Sequence, residues 1–466
     1  MKFWPTILIS ITLTGCVSYQ PKPISPAQSA ARLEARRLDD AGLQKFFAQN
    51  SRATNSWPLA EWDLDSLTLA AFYFQPNLAV ARAQWHEAVA AIKTAGARPN
   101  PTVSVGPGYN FSAAAGVEPW MPFGSVDLPM ETAGKRGKRI SQAEQIAESA
   151  RQTYIAAAWQ THANVRAALV DYVVARKKFT LIEKQFSAQQ EIASRQEQRL
   201  AGGDISRADL TVTRIALTKA QMDLSDAETG QAEARAKLAE AIGVPVPGLS
   251  VAKIIFDLEA GEPKDLTSDD ALSLALCGRA DVRAALADYA VAEDSLRLEI
   301  AKQFPDLHLN PGYQFDQGEH KWTLGLNFEL PVLDQNQGPI REAKARRETA
   351  AAKFTVLQAQ IIAALDRALG DFQAANDQIK TSAAFFADAQ KQLDSANAQF
   401  EAGAASRMDV LGAEIEFSAA ALARLDAQAK LQTAIGALED AVQRPMDSLA
   451  IAVRELQENS REKKSN

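Results

Sequence analysis

The chain has 466 residues, is 47% hydrophobic but only 7% aromatic, and carries a formal net charge of −7 with two cysteines. Alanine and the aliphatics supply the apolar content, which suits long, closely packed helices better than a bulky globular core. The acidic balance gives nucleic-acid binding no electrostatic support, and two cysteines cannot build a disulfide framework.

At the N-terminus, Lys2 precedes an apolar run from Ile7 to Leu13 that ends in Leu13-Thr14-Gly15-Cys16. A charged start, a short apolar stretch and small residues before a cut site mark residues 1–15 as an export signal, too short to span a bilayer. Small residues just ahead of a cysteine resemble the bacterial lipoprotein lipobox. That resemblance implies cleavage before Cys16 and acylation of its thiol; Ser18, in place of an inner-membrane-retaining aspartate, favours the outer membrane. The alternative is a chance cysteine beside an ordinary signal cut. Cys277 would then be alone in the mature chain and is expected to be a buried or half-buried thiol without a role. No other apolar run reaches ~18 residues, so any membrane-spanning part must be a closed barrel.

After an N-terminal segment over 16–63, the chain reads as one unit written twice, at 64–245 and 269–445, with a linker at 246–268 and a polar tail at 446–466. Asn77-Leu78-Ala79-Val80 recurs as Asp281-Val282-Arg283-Ala284, and Pro107-Gly108-Tyr109 as Pro311-Gly312-Tyr313, both 204 positions later. Asp127-Leu128-Pro129 matches Glu329-Leu330-Pro331 at 202, and Gly203-x-x-Ser206-Arg207-x-Asp209 matches Gly403-x-x-Ser406-Arg407-x-Asp409 at 200. Marks in constant order with a slowly drifting offset indicate duplication. Each half reads helix, strand, strand, very long helix, turn, helix, so the predicted fold class is mainly α with a small β part.

The first helix of the first half is expected over about Ser66 to Ala95. Strands follow. From 102 to 111, Val103, Val105, Pro107, Tyr109 and Phe111 alternate with Thr102, Ser104, Gly106, Gly108 and Asn110. The duplicate is cleaner: Trp322, Leu324, Leu326, Phe328 and Leu330 alternate with Lys321, Thr323, Gly325, Asn327 and Glu329. Near 120–128 the polar face is broken by Met121 and Phe123. This period fits barrel strands with a lipid face and a wet lumen, and equally a soluble antiparallel sheet. Since known barrels start at ~8 strands, four strands form one only if several copies each contribute theirs. The lumen candidates are then Asp306, His308, Asn310, Gln314, Lys321, Asn327 and Glu329.

From Lys138 to about Ala201 no proline or glycine intervenes, and the second half repeats the run from about Ile340 to Phe400 with only Gly370 inside it. Alanines three and four apart form a coiled-coil seam. The remaining helices are near half that length; stacked end to end, two would pace one long helix. In the turns between, Gly203 and Gly403 can end the incoming helix, while Ser206 with Asp209 and Ser406 with Asp409 have capping-box spacing.

Lipobox, duplicated strand pair, long helix and hairpin together resemble the TolC-type outer-membrane efflux proteins. Glu131-Thr132-Ala133-Gly134-Lys135-Arg136-Gly137 resembles that family's Glu-x-Gly-Gly-Lys-Arg segment, with Ala133 in place of the first glycine. Leu330 to Gly338 resembles its counterpart in the second half. Both are typical of the CzcC-like heavy-metal branch. The resemblance implies a homotrimer with one twelve-stranded barrel in outer-membrane lipid and a tapering helical tunnel below it. The linker and the tail would belt that tunnel. It implies as partners a periplasmic adaptor and an inner-membrane RND transporter. The two Gly-x-x-Ser-Arg-x-Asp turns would form the tunnel tip, where the matching aspartates gate the entrance and meet the adaptor. Arg207 and Arg407 would bond between protomers; a second acidic ring would fall at Gly412 here, so that ring is absent or displaced to Glu414. Capping alone also explains every residue of these turns. The basic run Lys135, Arg136, Lys138 and Arg139 would contact lipid phosphates at the periplasmic rim or form an ordinary solvated face.

No nucleophile motif, phosphate loop or metal set supports an enzyme, and no cofactor is implied; His86, His162, His308 and His320 are scattered. The expected cargo is heavy-metal cations or small toxic compounds. The alternatives are the outer-membrane part of a type I protein secretion system, or a periplasmic lipoprotein scaffold without a pore.

Overall fold

The computed structural model describes residues 18–50, 57–250, 252–259 and 268–445; Cys16 and the polar tail lie outside the described residues. In chain order the elements are α1 (Pro26–Glu34), α2 (Ala41–Gln49), α3 (Leu64–Phe74), α4 (Pro76–Ala95), β1 (Thr102–Gly106) and β2 (Phe123–Met130). The first half closes with α5 (Lys135–Gly202) and α6 (Arg207–Ile242), followed by a 3-10 turn at Val246–Leu249. The second half holds α7 (Ser268–Gly278), α8 (Ala280–Ala301), β3 (Leu307–Asp316), β4 (Glu319–Phe328), α9 (Gln337–Glu401) and α10 (Arg407–Val442). The fold is thus mainly helical with one small sheet. At 68 and 65 residues, α5 and α9 are each on the order of 100 Å long. Gly370 does not interrupt α9, because a glycine on an open helix surface costs only about 1 kcal/mol relative to alanine.

The single helix expected over 66–95 is in fact two. Pro76 brings no N–H and disfavours helical geometry at the residue before it, so Gln75 turns out to φ −66, ψ 118. The second half breaks at Arg279, φ −65, ψ 140, without a proline. Each break serves a joint of the same kind. The Gln75 amide donates to the carbonyls of Glu240 and Ala241, each at 2.7 Å, in the last turn of α6. Arg279 donates to Asp440 at 3.0 Å and Ala441 at 2.7 Å, in the last turn of α10. Carbonyls left over at a helix end are satisfied by the residue that starts the next helix in the same column. Hence α4 and α6 run end to end along α5, as the half-lengths suggested, and α8 and α10 repeat the arrangement.

The apolar core surrounds these joints, midway along the long helices. Leu38, Phe47, Trp62, Leu67, Leu169 and Ile242 are fully buried in one cluster, and Ala271, Ile361, Leu365 and Leu438 form the other. The N-terminal segment reaches the linker through a short parallel pairing, Trp62 N–H to Lys253 at 2.9 Å and Ile255 N–H to Trp62 at 3.0 Å. Cys277 corrects the sequence expectation: its thiol is exposed, because it falls on the outer side of α7 while Ala271 and Ala275 turn inward.

The strands form one antiparallel sheet in the order β1-β2-β3-β4. Thr102 faces Asp127 across the first hairpin, Leu307 faces Phe328 across the second, and Leu309 faces Leu128 between them. β1 stops at Gly106, short of the expected 111; beyond Pro107 the chains meet again where Gly108 and Met121 exchange backbone hydrogen bonds at 3.1 and 2.7 Å, beside the Tyr109–Trp120 bridge. The intrusive Phe123 has a place as well. A Cβ at Gly106 would lie 2.7 Å from its ring, so the phenyl covers the bare glycine opposite it.

Candidate transport surface: the sheet and the helical tips

The register sorts the sheet into two faces. His308 pairs with Asn327 and Gln314 with Lys321, with Asn310 on the same side. Asp306 and Glu329 lie just beyond the strand ends. His308 Nδ1 sits 3.0 Å from Asp127 and Lys321 Nζ 2.7 Å from Asp316, so this face carries internally paired charge. The other face is apolar and bare: Val105 and Trp322 are each 79% exposed and Leu324 74%. At its hairpin end, Tyr109 with Trp120 and Tyr313 with Trp322 form two ring pairs at about 5 Å, in matching positions of the two repeats. Among the described residues, neither β1 nor β4 has a second neighbour in the sheet.

Where the sheet meets the long helices, every member of the basic run is hydrogen-bonded within its own chain. Lys135 is buried and donates to the Phe304 carbonyl at 2.6 Å and to Asp306 at 2.8 Å. Asp306 also accepts from Thr132 N–H at 2.9 Å, so it ties strand to helix through its carboxylate. Arg136 donates to the Gly96 carbonyl at 2.6 Å, Lys138 to Ala133, and Arg139 to Ala95 and the Glu131 carboxylate. A basic start that opposes the dipole of α5 thus complements the C-terminal end of α4. Ala133 and Gly134 are both left-handed, at φ 53 and 68, and Asn336 repeats the bend before α9 at φ 61. A left-handed alanine is strained by about 1–2 kcal/mol, whereas glycine adopts this bend freely. Ala133→Gly is expected to stabilise the protein by roughly 0.5–1 kcal/mol, read as a higher thermal midpoint.

At the far end of the helices both turns are capping boxes. Ser206 accepts from Asp209 N–H at 3.2 Å while Asp209 accepts from Ser206 N–H at 3.0 Å; Ser406 and Asp409 repeat this at 3.3 and 2.8 Å. Gly203 and Gly403 take φ 84 and 74. The serine hydroxyls, then the serine N–H groups, hold both aspartates below the ordinary carboxylate range. The arginines differ. Arg207 is exposed and makes no ion pair among the described residues. Arg407 is engaged inside its own chain: it grips Glu191 of α5 at 3.0 and 3.1 Å and Glu414 of α10 at 3.0 Å. Glu414 is therefore the partner of Arg407. These bonds latch the second hairpin to the first.

A family model described as outer membrane efflux protein matches residues 74–244 and 271–442. The chain belongs to the outer membrane efflux protein family. The cobalt-zinc-cadmium resistance protein CzcC of Cupriavidus metallidurans is 26% identical over 296 residues, which cover 62% of this chain and 69% of that protein. The CmeC outer membrane channel of Campylobacter jejuni superposes with a TM-score of 0.69 at 15% identity, covering 85% of this chain and 89% of the other. The outer membrane protein VceC of Vibrio cholerae gives 0.65 at 19%, covering 82% and 97%. The resemblance read from the duplicated strands and motif segments holds, down to the CzcC-like branch.

The efflux protein also holds a buried polar joint that its sequence did not announce. Arg166 of α5 bonds Glu439 of α10 at 2.9 Å and the Gln432 carbonyl at 2.6 Å, lying across Gly436, where a Cβ would come within 2.7 Å of the guanidinium. One turn away, His162 meets the Thr68 hydroxyl at 3.1 Å. Burial, then the charge of Arg166, lowers its pKa to about 4. The unfolded chain, with an ordinary imidazole near 6.5, binds this proton first, so the stability His162 contributes is complete above about 6.5 and is lost as pH falls toward 4. Wild type is expected to lose about 2 kcal/mol more than His162→Gln between pH 7.5 and pH 5, read as thermal midpoints at the two values. Parallel pH curves for the two proteins would contradict this.

Proposed function

We propose that the chain is the outer-membrane exit duct of a tripartite RND-type efflux system, working as a homotrimer with a periplasmic adaptor and an inner-membrane transporter. The observation that carries the reading is the sheet: two open edges, one bare apolar face and one polar face. Such a sheet is stable in lipid only when closed, and three copies give twelve strands, within the range of membrane barrels. Cys16 would anchor each copy to the membrane. Metal cations are the favoured cargo, because CzcC bears cobalt, zinc and cadmium resistance in its name. Deleting the gene is expected to sensitise cells to divalent metal salts; a strain unchanged across a panel of metals would refute that cargo.

The tips would be the gate and the adaptor's docking point. Capping and gating are separable. Ser406→Ala and Asp409→Ala each remove one side of the capping box, at about 0.5–2 kcal/mol, but only the second removes a charge from the entrance. Leak current or drug sensitivity is expected to rise more for Asp409→Ala than for Ser406→Ala. Equal effects would reduce Asp409 to a cap.

A further inference from the structure

The duplication fixes more than the fold. Shifted by 204 in the first strand and 202 in the second, Val103↔Val126 becomes Leu307↔Phe328, and the Tyr109–Trp120 bridge becomes Tyr313↔Trp322. Both are observed pairs. The two hairpins therefore share one register, and the repeat offsets carry it from one to the other without a slip.

The ladder between hairpins, β2 against β3, joins the second strand of one repeat to the first strand of the next. The open edges are the same two kinds of strand: β4 is a second strand and β1 a first. Applying the same offsets to β2·β3 turns Leu128↔Leu309 into Leu330↔Val105, Met130↔Leu307 into Val332↔Val103, and Pro129↔His308 into Pro331↔Ser104.

We propose that β4 and the segment after it pair antiparallel with β1 of a second copy of this chain, in the register Leu330↔Val105 and Pro331↔Ser104. This rests on the closed-barrel reading above and specifies its seam. Three features of the edges agree with it. The register sets apolar against apolar on one face, since Leu330, Val332, Val103 and Val105 are 66–79% exposed in the single chain. A one-residue slip would turn those side chains into the polar face. Pro107 falls opposite Phe328 as Pro311 falls opposite Val126, so each seam has a proline at the same rung and lacks the same donor. The seam also extends pairing past the end of β4 at Phe328, which accounts for an apolar run, Leu330 to Leu333, standing free in one chain.

The test is disulfide trapping in the full lipidated chain, with exposed Cys277 changed to serine. Residues paired across antiparallel strands have Cα atoms about 4.5–5.5 Å apart, within reach of a disulfide, whereas a two-residue shift displaces one of them about 7 Å along its strand, to a diagonal of roughly 8–9 Å that a disulfide does not span. Ser104→Cys with Pro331→Cys, and on the other face Val103→Cys with Val332→Cys, are each expected to give covalent trimer on non-reducing gels. Thr102→Cys with Pro331→Cys is expected to give none. Trimers that cross-link only through the shifted pair, or through no pair, would overturn the register while leaving the closed barrel standing. A protein that stays monomeric by light scattering would overturn both.

Discussion

Arg166→Met is expected to destabilise the protein by about 3–5 kcal/mol, the largest effect of any single substitution considered. Both partners of the pair are over nine-tenths buried, with side chains 8% and 7% exposed. Removing the guanidinium takes from Glu439 a charge partner 2.9 Å away and from Gln432 two hydrogen bonds. Taking a carboxylate out of water without its partner is far more costly than the pair itself is stabilising. Arg166→Met with Glu439→Leu, which removes both charges, is therefore expected to recover most of the loss. The measurement is a denaturation midpoint in detergent for the wild type, the single variant and the double variant. A double variant as unstable as the single one would show that volume, with Gly436 beneath the arginine, matters more than charge.

Arg407→Ala is expected to raise leak current through the reconstituted protein on the order of tenfold, a modest displacement of a closed–open equilibrium. One guanidinium holds Glu191 of α5 and Glu414 of α10, so its loss frees the tip of the second hairpin from the first in every copy. Arg407→Lys restores the charge but not the two-pronged grip, and is expected to leak at an intermediate level. The Arg407 hydrogen bonds, then those of Arg195, lower the Glu191 carboxyl to about 2. A carboxylate depressed from 4.5 stays charged until pH falls well below its ordinary range, so the latch is present above about 4.5 and weakens only toward 2. Leak is accordingly expected to be flat between pH 5 and 8. A leak that climbs across that range in the wild type, or an Arg407→Ala protein as tight as wild type, would remove Arg407 from the gate.

What the sequence made legible was periodic or punctuated. Strand alternation, the glycine-ended helices and the capping boxes at Ser206 and Ser406 all follow from chemistry within a few residues of each position. The break at Gln75 was also within reach, since Pro76 marks it; the break at Arg279 was not, because nothing local demands it and its reason lies at Asp440 and Ala441. Long-range partners were the general blind spot. Lys135 reads as one of four basic residues until Phe304 and Asp306, some 170 positions on, close over it. Arg407 reads as a candidate for bonds between protomers, and its partner in its own chain emerges only when the second hairpin lies along α5 and brings Glu191 to it. Arg166 and Glu439 sit in helical text with no pattern of their own, and only Gly436, which makes room for the guanidinium, left a trace. Ala133 carries the opposite lesson: a departure from a motif that looked incidental marks a left-handed bend where glycine would be at ease.

Joint measurement of mass and current on the purified protein in lipid bears most directly on the central claim. If four strands per chain close only in company, the purified particle has the mass of three chains and passes steady current across a planar bilayer. A particle with the mass of one chain that carries no current would contradict it.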